Sequence, residues 1–113
     1  MSIKVKMDGD IAVVSIKGNL MGDKMTDTCH KKIKDLLEDG QKKIIVDLSA
    51  VKWMNSKGLG MLMACFTSAK NADSIFKVAS ASKKVKSLFM ITKLNTIFDA
   101  YDTVEEAVES FKK

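Results

Sequence analysis

The sequence predicts one α/β domain over residues 1–113, with a mixed β-sheet of about four to five strands and about four helices. Short β-branched runs alternate along the chain with segments whose apolar residues recur every three or four positions, as in strand–helix–strand units. The first two strands are separated only by Asp8-Gly9-Asp10, a turn signal that indicates an antiparallel hairpin. The length suits a single core and is too short for two domains.

The first half of the chain is predicted to form two strands and a helix. Residues 3–7 alternate apolar and polar side chains, which is typical of a half-exposed strand, and Ile11 to Ile16 form the second strand. After a loop over residues 18–22, Asp23 is the predicted N-cap of a helix that ends at Gly40. Its apolar face comprises Met25, Cys29, Ile33, Leu36 and Leu37.

The second half begins with a buried strand from Lys43, whose apolar run over residues 44–48 predicts a parallel strand covered on both faces. A helix then starts near Ser56 and ends around residues 71–73. The remaining pattern predicts a strand over Ile75 to Ala79, a helix capped by residues 80–82 and closed by Leu94, a short strand at Ile97-Phe98, and a last helix capped by Thr103. The inward positions of these two helices are Val85, Leu88, Phe89, Val104, Ala107, Val108 and Phe111.

The charge of the chain argues against a nucleic-acid partner. The sequence holds 19 basic and 14 acidic residues, a formal net charge of +5, and every basic residue is a lysine. Arginine dominates the bidentate reading of guanine and phosphate, and no aromatic residues are interleaved with the lysines for base stacking. Solvated faces account for scattered lysines, and an acidic protein partner fits the charge better than a nucleic acid.

The composition also bears on compartment and cofactors. No apolar run reaches the roughly 20 residues that cross a bilayer, and residues 1–6 lack the apolar segment of a secretory signal, so we expect a cytoplasmic protein without membrane insertion. Cys29 and Cys65 are expected to be small buried hydrophobes rather than a disulfide. His30 adjoins Cys29 at a helical spacing that makes a poor chelate, so no metal or cofactor is expected.

Catalytic motifs are not recognisable in the chain. The single histidine, His30, lies in the preceding predicted helix and is expected to face solvent, so Ser56 lacks a general base. Gly58-x-Gly60 lacks the third glycine of a dinucleotide fingerprint, and no phosphate-binding GxxxxGK[ST] sequence occurs. We therefore expect a protein that is not an enzyme.

The most informative segment is residues 44–60, which reads as a buried strand, a short turn and a helix start. Either Asn55 or Ser56 is the natural N-cap of this helix. Gly58 and Gly60 are unusual in a first turn, because each disfavours the helix by roughly 0.8 to 1 kcal/mol relative to alanine. Close approach of another protein, or of a neighbouring element of the same domain, is the usual reason for such glycines.

These residues carry a resemblance to a known family. Asp47-Leu48-Ser49, the stretch through Trp53-Met54, and the run from Asn55 to Gly60 resemble the signature of the STAS family of bacterial anti-sigma factor antagonists. In the family pattern an aspartate precedes the phosphorylated serine, and a serine or threonine follows it. The resemblance extends over nearly the whole chain and implies the same fold; it maps the phosphorylated serine to Ser56.

The resemblance implies a partner-switching function. The unphosphorylated protein would bind an anti-sigma factor serine kinase and so release a sigma factor for transcription, and phosphorylation of Ser56 would end the binding until a phosphatase restores it. A phosphate at a helix start would meet free backbone N–H groups and the positive end of the helix dipole. The residues expected to contact the partner are Met21, Gly22, Asp23, Asn55, Ser56, Lys57, Gly58, Leu59 and Met61.

Two other functions stay open on the sequence. Asn55 stands where the family has aspartate and Lys57 where it has serine or threonine, which favours a constitutive STAS-type interaction subunit of a signalling or transport assembly, with Ser56 acting only as a helix cap. Small-ligand sensing beside the helix start is supported only by the available N–H groups. Among the neighbouring apolar residues, Met54 and Met63 are expected in the core, and Trp53 is expected to pack under the turn.

Overall fold

The computed structural model describes residues 2–94 and 97–112. Within these residues the chain forms five strands and four helices in the predicted alternation. The strands are β1 (Ser2–Asp8), β2 (Ile11–Lys17), β3 (Lys43–Ala50), β4 (Ile75–Ala79) and β5 (Asp99–Tyr101). The helices are α1 (Lys24–Glu38), α2 (Ser56–Asn71), α3 (Lys83–Ile91) and α4 (Val104–Phe111).

The strands form one mixed sheet in the order β1-β2-β3-β4-β5. β1 and β2 pair antiparallel through the turn at Gly9, whose φ of 62° is readily adopted by glycine, as the hairpin signal predicts. The other three pairings are parallel, so each later strand is reached through a crossover helix. β3 lies at the centre, which explains its continuous apolar run.

The two faces of the sheet are covered by different helices. On one face α1, α2 and α3 pack over alternate strand residues such as Val14, Val46 and Val78. On the other face α4 packs through Ala107 and Val108 over a smaller cluster from β2, β3 and β4. Strand residues alternate between the faces, so the predicted buried strand contributes to both cores.

The predictions for the segment after α3 are wrong in two places. The helix ends at Ile91 rather than Leu94, because Lys93 takes a left-handed conformation with φ 62°. The last strand is Asp99–Tyr101, which pairs with β4, and not Ile97-Phe98. Phe98 instead fills the core from a loop, with its ring 5.4 Å from that of Phe89. Two apolar residues that pack into the core give the same sequence pattern as a short strand, whether or not their backbone hydrogen-bonds to the sheet.

The topology brings four connections to one edge of the sheet. The parallel strands all end at this edge, so the loop from β2 to α1 and the loop from β3 to α2 lie side by side there. The first turn of α2, with Ser56, is therefore at a sheet edge and not over a face. Among residues 2–94 and 97–112, none of the helices has the length and apolar content needed to span a bilayer.

Candidate functional site

The cap of α2 is Asn55. Its Oδ1 accepts hydrogen bonds from the backbone N–H of Lys57 at 3.1 Å and of Gly58 at 3.2 Å. Of the two candidates from the sequence, the asparagine therefore caps the helix, and Ser56 occupies its first helical position. The Ser56 side chain is exposed, and its hydroxyl forms no hydrogen bond within the described part of the chain.

Asn55 also ties the two neighbouring loops together. Its side-chain Nδ2 donates to the carbonyl of Met21 at 3.0 Å, and its backbone N–H donates to the carbonyl of Leu20 at 3.1 Å. The N–H of Leu20 in turn donates to the carbonyl of Trp53 at 3.1 Å. An aspartate here could accept from the helix but could not donate to the Met21 carbonyl. The departure from the family pattern thus has a structural consequence in this chain.

The two glycines of the first turn have different surroundings. A Cβ added to Gly58 would lie 2.3 Å from the backbone oxygen of Leu20, so only glycine lets the loop from β2 approach the helix this closely. A neighbouring element of the same domain therefore explains Gly58, as one of the two sequence hypotheses held. A Cβ added to Gly60 would meet no described atom within 4 Å. The fold itself gives no reason for that glycine.

The exposed part of this region is smaller than the set of contact residues predicted from the sequence. Met61 is only 6% exposed and packs in the core, so its assignment to a partner surface is wrong; it is also in contact with Cys65. Leu59 and Gly58 are buried as well, and they support the turn from inside. Met54 is buried as predicted, and Met63 is half-buried against the core.

Trp53 is exposed, contrary to the prediction that it packs under the turn. Its exposed fraction is 42% and that of Met21 is 38%. Met54 forms an isolated parallel bridge with Leu20, and this extended pairing turns Met54 inward and its neighbour Trp53 outward. In the sequence, the polar residues on either side of the Trp53-Met54 pair were the signal that this turn lies at the surface.

We name the outward residues at the α2 start the Ser56 surface. It comprises Met21, Trp53, Ser56, Lys57 and Gly60.

The loop from β2 to α1 borders the Ser56 surface. Gly22 has φ 83°, and its N–H donates to Thr26 Oγ1 at 2.9 Å. The stem of Lys57 lies on Gly22, since an added Cβ would come 2.4 Å from Lys57 Cδ. Asp23 occupies the N-cap position of α1 as predicted and is exposed, but its side chain makes no capping hydrogen bond.

The backbone N–H groups expected to receive a phosphate are in part occupied. Asn55 Oδ1 already accepts from Lys57 and Gly58, and the Leu59 N–H donates to the Asn55 carbonyl at 3.0 Å. The expectation of free N–H groups is therefore wrong for these three residues. A phosphate on Ser56 would extend into solvent beside the helix end, where the helix dipole still favours negative charge.

Cys29 and Cys65 are both buried in the core. Burial raises the pKa of the Cys29 and Cys65 thiols to about 12, so neither is a reactive thiolate near neutral pH. Both cysteines are free, as predicted. Within the described residues, no group of three or more histidine, cysteine, aspartate or glutamate side chains could hold a metal ion. The exposed chemistry at the α2 start is a hydroxyl, an ammonium and two large apolar side chains.

Comparisons with known proteins agree with this architecture. The STAS domain family matches residues 2–107. A protein of Thermotoga maritima named "Putative anti-sigma factor antagonist" is 30% identical over 79 residues, which are 70% of each chain. The crystal structure of an antagonist of that name from the same organism superposes with a TM-score of 0.91 and 26% identity, covering 98% of this chain and 95% of the other.

A more distant neighbour shares the fold alone. SpoIIAA of Bacillus in its phosphorylated form has a TM-score of 0.77 and 18% identity, and the match covers 97% of this chain and 99% of that one. The family match over residues 2–107 and the Thermotoga maritima relative show that the chain belongs to the STAS family, among the anti-sigma factor antagonists.

Proposed function

We propose that this protein is a cytoplasmic anti-sigma factor antagonist that switches partners through Ser56. When unphosphorylated it binds an anti-sigma factor serine kinase through the Ser56 surface and the bordering residues Gly22, Asp23 and Asn55, which frees a sigma factor for transcription. Phosphorylation of Ser56 ends the binding, and a phosphatase reverses it. The protein itself catalyses no reaction in this scheme.

The observation that carries the proposal is that Asn55 caps α2 and leaves the adjacent Ser56 exposed. Asn55 satisfies the helix end, so the Ser56 hydroxyl has no structural role among the described residues and remains exposed. A kinase can reach it without unfolding the turn. The phosphorylated residue would keep the Asn55 cap, so the effect of the phosphate falls on the partner and not on the fold.

The size of the electrostatic change suits a switch. A phosphoserine adds about 1.5 to 2 negative charges at neutral pH, which a partner must oppose or desolvate. A mismatch of about 3 to 4 kcal/mol weakens binding by more than a hundredfold, because each 1.4 kcal/mol is a factor of ten. Lys57 is exposed beside the site and offsets only part of this charge.

The comparisons support the proposal. SpoIIAA, an anti-sigma factor antagonist of the same fold, has been solved in both unphosphorylated and phosphorylated forms. The relative from Thermotoga maritima carries the antagonist name at 30% identity. Both fit a phosphorylatable serine at the start of α2.

Phosphate mapping tests the proposed site. The protein is incubated with ATP and its cognate anti-sigma factor kinase, and any phosphate is located by mass spectrometry. We expect one phosphate on Ser56, none on Ser56→Ala, and normal incorporation by Ser49→Ala. Ser49 is a matched control because it is an exposed serine at the end of β3, near the same edge of the sheet. Incorporation that persists in Ser56→Ala would overturn the assignment.

The constitutive interaction subunit is the second candidate, and Lys57 is the residue that favours it. Its premise that Ser56 caps the helix does not hold, since the cap is Asn55. Pull-down of the kinase with Ser56→Asp separates the two functions. Binding equal to that of the wild type would favour the constitutive subunit, whereas loss of binding supports the switch.

A further inference from the structure

The net charge of the protein is concentrated in one part of the chain. Residues 49–98 contain eight lysines and one acidic residue, Asp73, which is a net charge of +7. The rest of the chain contains 11 lysines and 13 acidic residues, a net charge of −2. The overall +5 therefore arises from the stretch that holds α2, β4, α3 and the loops between them, in which all the lysines except Lys77 are outside the strand.

Four of these lysines lie at the edge of the sheet that carries Ser56. Lys52 follows β3, Lys57 is in the first turn of α2, and two more begin α3 directly after β4; we call this set of Lys52, Lys57, Lys83 and Lys84 the edge lysines. All four are exposed, and within residues 2–94 and 97–112 none of them forms an ion pair. Because β3 and β4 are parallel neighbours, the residues that follow them come to the same edge.

Other lysines of the same stretch are already engaged within the domain. Lys77 is buried under α4, where its Nζ donates to Tyr101 Oη at 3.3 Å and to Ser110 Oγ at 2.5 Å. Lys86 donates to Asp102 at 2.8 Å. Lys77 and Lys86 are thus engaged inside the domain, whereas the edge lysines have no acidic partner among the described residues.

Two exposed apolar side chains lie beside two of the edge lysines, since Lys52 precedes Trp53 in the chain and the Lys57 stem lies on Gly22, next to Met21. Trp53 and Met21 come from adjacent loops whose backbones are joined through Leu20 and Asn55. Tryptophan is the residue type most often found at the energetic centre of protein interfaces, where neighbouring polar groups exclude water. Methionine adapts its shape to different partners. An apolar centre held in fixed loops and bordered by cations defines the chemistry of what it can bind.

We propose that this surface binds an acidic face of the partner protein, with Trp53 inserted into an apolar pocket and the edge lysines opposite carboxylates. The inference rests on the proposed function, because it specifies the chemistry of the partner that the switch releases. It also explains why a phosphate at Ser56 has a large effect: the added negative charge would face carboxylates of the partner while cancelling the attraction of Lys57. A protein fits better than a nucleic acid, since the surface has one aromatic side chain and no arginine.

Binding of the cognate anti-sigma factor kinase, measured by calorimetry across a range of salt concentrations, tests the proposal. We expect Trp53→Ala to weaken binding by about tenfold or more. The double variant Lys52→Glu/Lys57→Glu should weaken it by a similar factor and reduce its salt dependence, because long-range attraction between opposite charges is screened by salt.

Matched controls lie away from the edge. Met90→Ala removes an exposed apolar side chain at the far end of α3, and Lys4→Glu/Lys32→Glu reverses two exposed lysines on β1 and α1. Both should bind within about twofold of the wild type. Melting temperatures of all variants confirm that they are folded.

The outcomes separate this proposal from the switch. If the Trp53 and lysine variants bind like the wild type while Ser56→Asp does not bind, the acidic-partner proposal is overturned and the switch stands. If Trp53→Ala is weakened but Ser56→Asp binds normally, the switch fails and the surface stands. If the wild type does not bind the kinase, or binds a single-stranded oligonucleotide as tightly through the same residues, the acidic-partner proposal is overturned.

Discussion

On the inner side of the α2 start, Leu20 is buried against both Met54 and Gly58, whereas on the outer side Trp53 and Gly60 face solvent. The two sides belong to the same few residues of chain and alternate along it. Each inner residue has an explanation within the domain, such as the 2.3 Å distance that a side chain on Gly58 would have from Leu20. The outer residues have no such explanation within the domain, although an exposed tryptophan and a glycine inside a helix are both unfavourable.

This contrast separates structural from functional reasons for the same motif. The motif from Asn55 to Gly60 contains a cap and a close-packed glycine, which the fold uses, and a hydroxyl and a second glycine, which it does not use. A motif residue that has no structural role in the fold is a stronger candidate for a partner contact than one that the fold requires. The predictions below test whether the two sides respond to substitution as differently as the structure indicates.

The largest expected effect is on the inner side. Gly58→Ala should lower the free energy of unfolding by about 2 to 3 kcal/mol, because the added methyl group would force the Leu20 backbone away from the helix. Urea denaturation measures this change. A variant as stable as the wild type would show that the loop yields easily and that the inner side is not close-packed.

The second effect compares the cap with its neighbour. Asn55→Ala should lower the unfolding free energy by about 1 to 2 kcal/mol, since it removes the cap and the bond to the Met21 carbonyl. Ser56→Ala should change it by less than about 0.5 kcal/mol, because the hydroxyl is exposed and unbonded in the described chain. Equal losses for the two variants would assign a structural role to Ser56 after all.

A third prediction uses the other glycine. Gly60→Ala should raise the unfolding free energy by about 0.8 to 1 kcal/mol, because alanine favours the helix and an added Cβ meets no described atom within 4 Å. Thermal or urea denaturation measures this change, and Gly58→Ala measured in the same way is the matched comparison. A destabilising effect of Gly60→Ala would contradict the inference that a side chain at this position meets no obstruction.

The smallest expected effect concerns the ion pair between Lys86 and Asp102. The hydrogen bond from Lys86, with its charge, holds the pKa of Asp102 below its ordinary value of 3.8. A lowered pKa stabilises the fold above the unfolded-state value, and this contribution is lost as the pH falls through the folded-state pKa. Asp102→Ala should therefore lower the melting temperature slightly at pH 7 and progressively less below pH 3.8. A difference that does not shrink in acid would point to lost packing instead of lost charge.

Much of the fold was predictable because its signals are local. The turn at Gly9, the apolar run of β3 and the cap region over residues 80–82 each act within a few residues, and all are in the structure as predicted, with Ser82 as the cap. The error at Ile97-Phe98 arose because inward packing and strand pairing give the same apolar pattern.

The site was only partly predictable because exposure at the α2 start depends on a distant loop. Trp53 faces outward because its neighbour Met54 pairs with Leu20 of the loop from β2 to α1. Met61, in contrast, lies on the same helix face as the buried Cys65 four residues later. The choice of Asn55 over Ser56 as the cap likewise depends on geometry, since both residue types cap helices well.

On this reasoning the outer side of the α2 start binds a kinase only while Ser56 is unphosphorylated. The most direct test is the Kd of the wild-type protein for that kinase before and after complete phosphorylation at Ser56. We expect binding at least about a hundredfold weaker for the phosphorylated protein, with an unchanged melting temperature. An unchanged Kd would contradict this expectation.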